Sequence, residues 1–227
     1  MIYKYEDVDL IKVEMEITTY CNARCRYCPR TDKITGGPQS WLVQEHMSLE
    51  TFKLIFDPQT EKIRQLKFCG QFGDPMMNPS VGKILDHALR YDKMSILINT
   101  NGGLRNVEWY KTFAQRYGQR LQIHFGIDGL DHDTNWKYRE GVIFDKAYNN
   151  MLSFHQNGGD TTWQFILFSW NEHQLEEVRA RGLSLGLEQT FLVDGEYRQH
   201  LEQTNPAKID EFRLRFANIG VHDYQGI

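Results

Sequence analysis

The chain has 227 residues, 41% of them hydrophobic and 25% charged, and a formal net charge of -4 at pH 7. Those proportions belong to a folded globular protein and exclude disorder and collagen-like repeats. Basic residues are scattered, so no nucleic-acid or anionic-membrane partner is indicated, and no apolar run nears the ~20 residues that span a bilayer. Residues 1–7 are polar and acidic where a secretory signal is basic and then apolar, so a reducing, cytoplasmic setting is the expectation. One domain is expected, with a core over residues 11–193 and a tail over 194–227.

Strand-like and helix-like segments alternate. Residues 11–17 alternate Val13, Met15 and Ile17 against charged neighbours and read as a first strand that runs into a cysteine-rich segment. Ser48 is placed to cap a short amphipathic helix carrying Phe52, Ile55 and Phe56. A second strand over 65–69 ends in Gly70-Gln71-Phe72-Gly73-Asp74-Pro75, and a helix follows with Pro79 at its first turn. The apolar run 94–98 suits a strand covered on both faces and ends in Asn99-Thr100-Asn101-Gly102.

Helix 107–117, strand 121–127, helix 144–155, strand 162–168, helix 172–185 and strand 187–193 continue the alternation, and Gly158-Gly159 reads as a helix stop. One more helix is expected between 206 and 217. Strands separated by helical crossovers make a parallel sheet with helices outside. Six such units cannot close an eight-stranded barrel, so the expected fold is α/β: a partial (β/α)6 TIM-like barrel, an open parallel sheet.

Parallel α/β folds work at the carboxyl ends of their strands. Here those ends carry Cys21, Cys25 and Cys28, then Gly73-Asp74-Pro75, then Asn99 to Gly102, then Asp128-Gly129, and last Ser169-Trp170-Asn171. Three cysteines within eight residues suit zinc or an iron–sulfur cluster. A structural zinc takes four protein ligands, and a fourth is missing locally, with Cys69 and His46 the distant candidates. Cys69 by itself reads as a small hydrophobe packed at a strand end, and Asp128 equally as a helix cap. None of the eight histidines shows ligand spacing.

Cys21-x-x-x-Cys25-x-x-Cys28, with Tyr27 before the last cysteine, resembles the signature of the radical S-adenosylmethionine (SAM) superfamily. Gly70 to Pro75, Asn99 to Gly102, Ile127-Asp128-Gly129 followed by Tyr138-Arg139-Glu140-Gly141, and Trp170-Asn171-Glu172-His173 resemble its later motifs, in order along the chain. The pattern is nearest to members with a C-terminal auxiliary-cluster domain. Only Cys69 remains after the three ligands, so such a domain cannot be built from this chain.

The resemblance implies a [4Fe-4S] cluster on Cys21, Cys25 and Cys28, with SAM on the open iron and cleaved by one electron to methionine and a 5′-deoxyadenosyl radical. It implies the SAM ammonium at Phe72, Gly73 and Asp74, the ribose at Asn99 or Asn101, the methionine carboxylate at Arg139, and the adenine beside Tyr27. Asp128 belongs to the fourth-strand part of that site. Asp74 stands where glutamate is more usual, and Gly126 where relatives often have serine. An external one-electron donor of flavodoxin or ferredoxin type is implied. The open barrel favours a peptide, a protein loop or another bulky substrate. A glycyl-radical activase, and a non-catalytic iron–sulfur or zinc module, are the alternatives.

Overall fold

The computed structural model describes residues 12–205 and 207. Six strands form one sheet in sequential order, every neighbouring pair parallel: β1 (Lys12–Met15), β2 (Gln65–Phe68), β3 (Ser95–Thr100), β4 (Leu121–Gly126), β5 (Asp160–Leu167) and β6 (Glu188–Val193). The crossovers carry α1 (Leu49–Phe56), α2 (Val81–Ala88), α3 (Val107–Tyr117), α4 (His132–Trp136), α5 (Phe144–Gln156) and α6 (Leu175–Leu185), and α7 (Gly195–Thr204) follows β6. Among the described residues β1 pairs only with β2 and β6 only with β5, which leaves the barrel open as expected.

The helices start where side chains accept the orphaned N–H groups of the first turn. Ser48 accepts from Thr51 N in α1, Asn106 from Trp109 N in α3, and Asp131 from Thr134 N in α4. α2 begins at Val81, after a one-turn 3-10 helix at Pro75–Met77, so Pro79 lies ahead of the helix and not in its first turn. α4 and α7 were not expected. α4 has five residues, too few to display a helical period, and α7 is polar along its length. The helix expected at 206–217 lies outside the described residues apart from position 207.

All helices that pack rings on the sheet do so on one face. Phe52 of α1 meets Phe68, Tyr110 of α3 and Phe154 of α5 meet Phe125, and Tyr148 of α5 meets Trp163. That face is dry: Phe68, Ile98, Ile123, Phe125, Trp163 and Phe165 are all 0% exposed. The register lays Glu14, Lys67, Leu97 and Gln122 side by side on the opposite face. No helix among the described residues is long and apolar enough to cross a membrane.

Candidate functional site

Beyond β1 the chain turns through Thr18 to Arg30 across the carboxyl ends of the neighbouring strands. A strap at 45–47 holds this loop, with Thr19 N donating to Glu45 O (3.1 Å) and Met47 N to Ile17 O (2.9 Å). Asp74 N donates to Tyr20 O (2.8 Å). Gly73 is required by close approach, since a Cβ there would lie 2.2 Å from Thr18 O. The loop and the second strand end are therefore one packed unit.

Cys21, Cys25 and Cys28 are unpaired thiols on this loop. Cys21 Sγ accepts Ala23 N–H at 3.3 Å and lies 3.8 Å from Asn101 Nδ2. Cys25 is buried, with Arg139 Nη1 4.0 Å from its sulfur, and Cys28 N donates to Cys25 O (3.1 Å). Burial pushes the Cys21 thiol up to about 12 and that of Cys25 to about 11, and Cys28 rises for the same reason. Desolvation penalises a bare thiolate here, a penalty that a bound cation would offset. Among the described residues no three His, Cys, Asp or Glu side chains converge on a point suited to a single ion.

Two buried carboxylates brace the site. Asp74 accepts Met76 N–H, the Thr100 hydroxyl and Asn101 N–H, each at 2.9 Å, and so ties the ends of β2 and β3 together. Burial pushes its carboxyl up against those donors. Asp128 does not cap a helix, since Asp131 caps α4. Fully buried, Asp128 accepts Ile166 N–H and pairs with Arg139 Nε, both at 2.6 Å. Burial raises its carboxyl, opposed by that guanidinium.

Arg139 explains Gly126. A Cβ on Gly126 would lie 2.5 Å from Arg139 Nη2, so the guanidinium occupies the space a serine side chain needs. The guanidinium carbon lies over the Tyr138 ring, 4.9 Å from its centroid.

Asn101 pairs with Asn22 (2.8 Å) on the cysteine loop, whereas Asn99 donates to Cys69 O (3.1 Å) and leaves its Oδ1 buried without a partner among the described residues. Phe72 O accepts Arg30 Nε (2.8 Å). Tyr27 stacks on Tyr138 and on Phe168, and Phe168 on Trp170. Beside this shelf is a cavity of about 320 Å³ that also touches Asp194, Glu196 and His200.

Cys69 is a half-buried thiol rather than a packed hydrophobe, and its Sγ lies 3.4 Å from Glu14 Oε2, turned to its own strand pair. The structure thus links the cysteine loop, Phe72, Gly73, Asp74, Asn101, Asp128 and Arg139 through short contacts, with Tyr27 at the rim. Three contributors were given no individual role by the sequence reading. Arg30, 5% exposed, bridges Phe72 and Thr19; Glu16 accepts Gln71 N–H (2.7 Å); Asn171, 0% exposed, clamps Asp128 O and Ile166 O. Only Asn171 lay in a stretch that stood out in sequence, and the partners of Arg30 and Glu16 come from distant strand ends.

The family described as the radical SAM superfamily matches residues 15–181. The GTP 3′,8-cyclase of Chlorobaculum tepidum is 32% identical over 93 residues, covering 40% of this chain and 26% of that protein. Native anSMEcpe with bound AdoMet superposes with a TM-score of 0.67 at 15% identity, over 95% of this chain and 64% of that one. Streptococcus suis SuiB bound to its precursor peptide SuiA gives 0.64 at 13% identity, over 95% and 49%. At these identities the structural likeness is one of fold, and this chain spans less than two thirds of each of the three proteins.

Proposed function

The chain belongs to the radical SAM superfamily, whose enzymes work with a [4Fe-4S] cluster and SAM, and from that premise we propose that Cys21, Cys25 and Cys28 are its cluster ligands. The donor set fits. Three reduced thiols share one loop, their outside neighbours include an amide N–H, a carboxamide and a guanidinium, and Cys69 is engaged elsewhere. Ligands of a cubane each take a separate iron, so they stand wider apart than ligands of one ion. Bound together, the cluster and SAM supply a 5′-deoxyadenosyl radical that takes a hydrogen atom from the substrate.

The chain's own residues bind and orient. Arg139, fixed by Asp128, presents a cation to the SAM carboxylate and to the cysteine beside it. Asp74, tied to Met76, Thr100 and Asn101, directly follows Phe72–Gly73, and its negative charge favours the SAM ammonium. Asn99 and Asn101 offer hydrogen bonds to the ribose, and Tyr27 borders the adenine. The observation that carries the reading is the three-thiol loop clamped to two buried carboxylate braces. Anaerobic reconstitution should give about four irons per chain, and dithionite with SAM should release 5′-deoxyadenosine; absence of either contradicts it. Cys21→Ala, Cys25→Ala and Cys28→Ala should each lose the cluster, whereas Cys69→Ala should keep it.

An external flavodoxin or ferredoxin supplies the electron. A peptide is the favoured substrate, supported by the outer edges of β1 and β6, which no further strand among the described residues covers and between which a polymer could enter. The cyclase relative favours a nucleotide as second reading. Incubation with GTP, SAM and reductant separates the two, since a cyclised nucleotide product would displace the peptide.

A further inference from the structure

We propose that the hairpin over residues 30–43 is the docking surface for an acidic one-electron carrier protein, with Ile34, Trp41 and Val43 as its apolar contacts and Arg26 and Lys33 as its cations. The surface deepens the proposed radical chemistry and rests on it, since that chemistry draws its electron from outside. The hairpin grows out of the cysteine loop. Thr31 N donates to Cys28 O (2.9 Å), Gln39 N to Arg30 O (2.7 Å) and Asp32 N to Gly37 O (2.8 Å), and Thr31 bridges to Pro38. Asp32 Oδ1 accepts the Ile34 and Thr35 N–H groups and shapes the tip.

Ile34, Trp41 and Val43 are 95%, 60% and 72% exposed, so three of the nine large apolar side chains that the described residues leave to solvent fall within ten positions. Exposed apolar side chains gathered in this way mark an interaction site, and tryptophan is among the side chains that most often anchor one. Charge gives the sign of the partner. Residues 19–44 hold four basic side chains, Arg24, Arg26, Arg30 and Lys33, against the single acid Asp32, on a chain whose net charge is -4. Arg30 is buried and Arg24 pairs with Glu140 (2.7 Å), whereas Arg26 and Lys33 are exposed, with no salt bridge among the described residues. A negative surface is drawn to such a patch.

Position chooses among negative partners. Trp41 meets Phe72 edge-on, with ring centroids 5.7 Å apart, and Gln71 O lies 3.8 Å from Cys28 Sγ. A carrier seated on Trp41 therefore stands one side chain and one peptide unit from a proposed cluster ligand. Electron transfer weakens steeply with distance, so a redox protein gains from this place, and a nucleic acid or a second copy of the chain does not. Encounters between redox proteins bury less than about 1,200 Å² in all, within reach of one hairpin and its flanks. The carrier gives up one electron and is oxidised, the cluster is reduced, and no bond between the proteins forms.

The test compares two reductants on the cluster-loaded protein. Dithionite is small and needs no docking, whereas a purified acidic flavodoxin, kept reduced by its NADPH-dependent reductase, does. Release of 5′-deoxyadenosine is measured with each. Trp41→Ala, and a tip variant combining Lys33→Glu with Ile34→Asp, should raise the flavodoxin concentration for half-maximal rate about 5–30-fold. Both should leave dithionite-driven release within about twofold of wild type. The flavodoxin-driven rate of wild type should fall as salt is raised, and the dithionite-driven rate should not. The tip variant changes only exposed side chains, so it keeps the test open should Trp41→Ala disturb Phe72.

Unchanged flavodoxin dependence in both variants, or a flavodoxin-driven rate indifferent to salt, overturns the surface. So does failure of flavodoxin and of a plant-type ferredoxin to support wild type where dithionite succeeds. Dithionite-driven release lost in the tip variant but kept in wild type overturns it by assigning the hairpin to the site itself. A wild-type dimer in sedimentation that the tip variant splits overturns it in favour of a second copy. Loss of dithionite-driven release in wild type contradicts the radical chemistry on which the surface rests.

Discussion

The two faces of the sheet obey different rules. The helix-covered face is mostly hydrocarbon, with Phe68, Ile98, Phe125, Trp163 and Phe165 all at 0% exposure and Thr100, Thr161 and Gln189 buried among them. The opposite face carries Glu14, Lys67, Cys69, Asn99, His124 and Thr162 in the same strands. In a closed eight-stranded barrel the inner face is filled by layers of bulky branched side chains. Here the barrel is open and the described residues of that face carry only Leu97, Ile166 and Leu192 of such side chains, so the first face holds most of the fold and the second is largely left for polar contacts. The contrast separates stability from recognition within single strands: β4 reads Leu-Gln-Ile-His-Phe-Gly, alternating between the two.

Substitutions on the two faces should therefore differ in kind, beginning with the largest effect. Phe125→Ala leaves a cavity between Tyr110 and Phe154 and should cost about 3–5 kcal/mol in urea unfolding. A loss below about 1 kcal/mol would mean the covered face is not the stabilising one.

At the strand ends, Asp128→Asn keeps the shape but removes the charge that holds Arg139. It should cost about 2–3 kcal/mol and abolish 5′-deoxyadenosine release, the two read by unfolding and by chromatography. Retained release would detach Arg139 from SAM.

His124 sharpens the comparison through pH. Its folded pKa is lowered from 6.5 to about 4, so between those values the unfolded chain takes up a proton that the folded one refuses. Its contribution is fully present above 6.5 and is lost as pH falls towards 4. Discounted for partial exposure, wild type should lose about 2 kcal/mol more than His124→Gln across that window. Equal pH profiles would place the imidazole in open water.

Lys67→Met, which breaks a half-exposed ion pair with Glu14, should change stability by less than about 1 kcal/mol. Thr162→Val removes an unpaired hydroxyl and should leave stability unchanged or slightly raised in the same assay.

Much of this was legible in the sequence because its signals are local. Alternation in residues 11–17 and 121–127, the capping serine at Ser48, and the polar strand ends each need only near neighbours. Family resemblance then named the cysteines, Tyr27, Phe72, Gly73, Asp74, Asn99 or Asn101, Asp128 and Arg139 as one site. What stayed hidden was non-local. Asp74 turned out to clamp Thr100 and Asn101, and Asp128 to accept Ile166 N–H across 38 positions. The glycine at 126 read as a departure, and its reason, the Arg139 guanidinium in that space, lies 13 positions away. Cys69 read as a hydrophobe because its partner Glu14 sits on a neighbouring strand.

The central claim is that three sulfurs from one loop leave one iron of the cluster free for SAM. The direct measurement is the electron paramagnetic resonance spectrum of the dithionite-reduced, reconstituted protein, recorded before and after SAM is added. The account predicts a reduced-cluster signal that changes on SAM addition, in wild type and in Cys69→Ala alike. A signal indifferent to SAM, or one that disappears with Cys69, would contradict it.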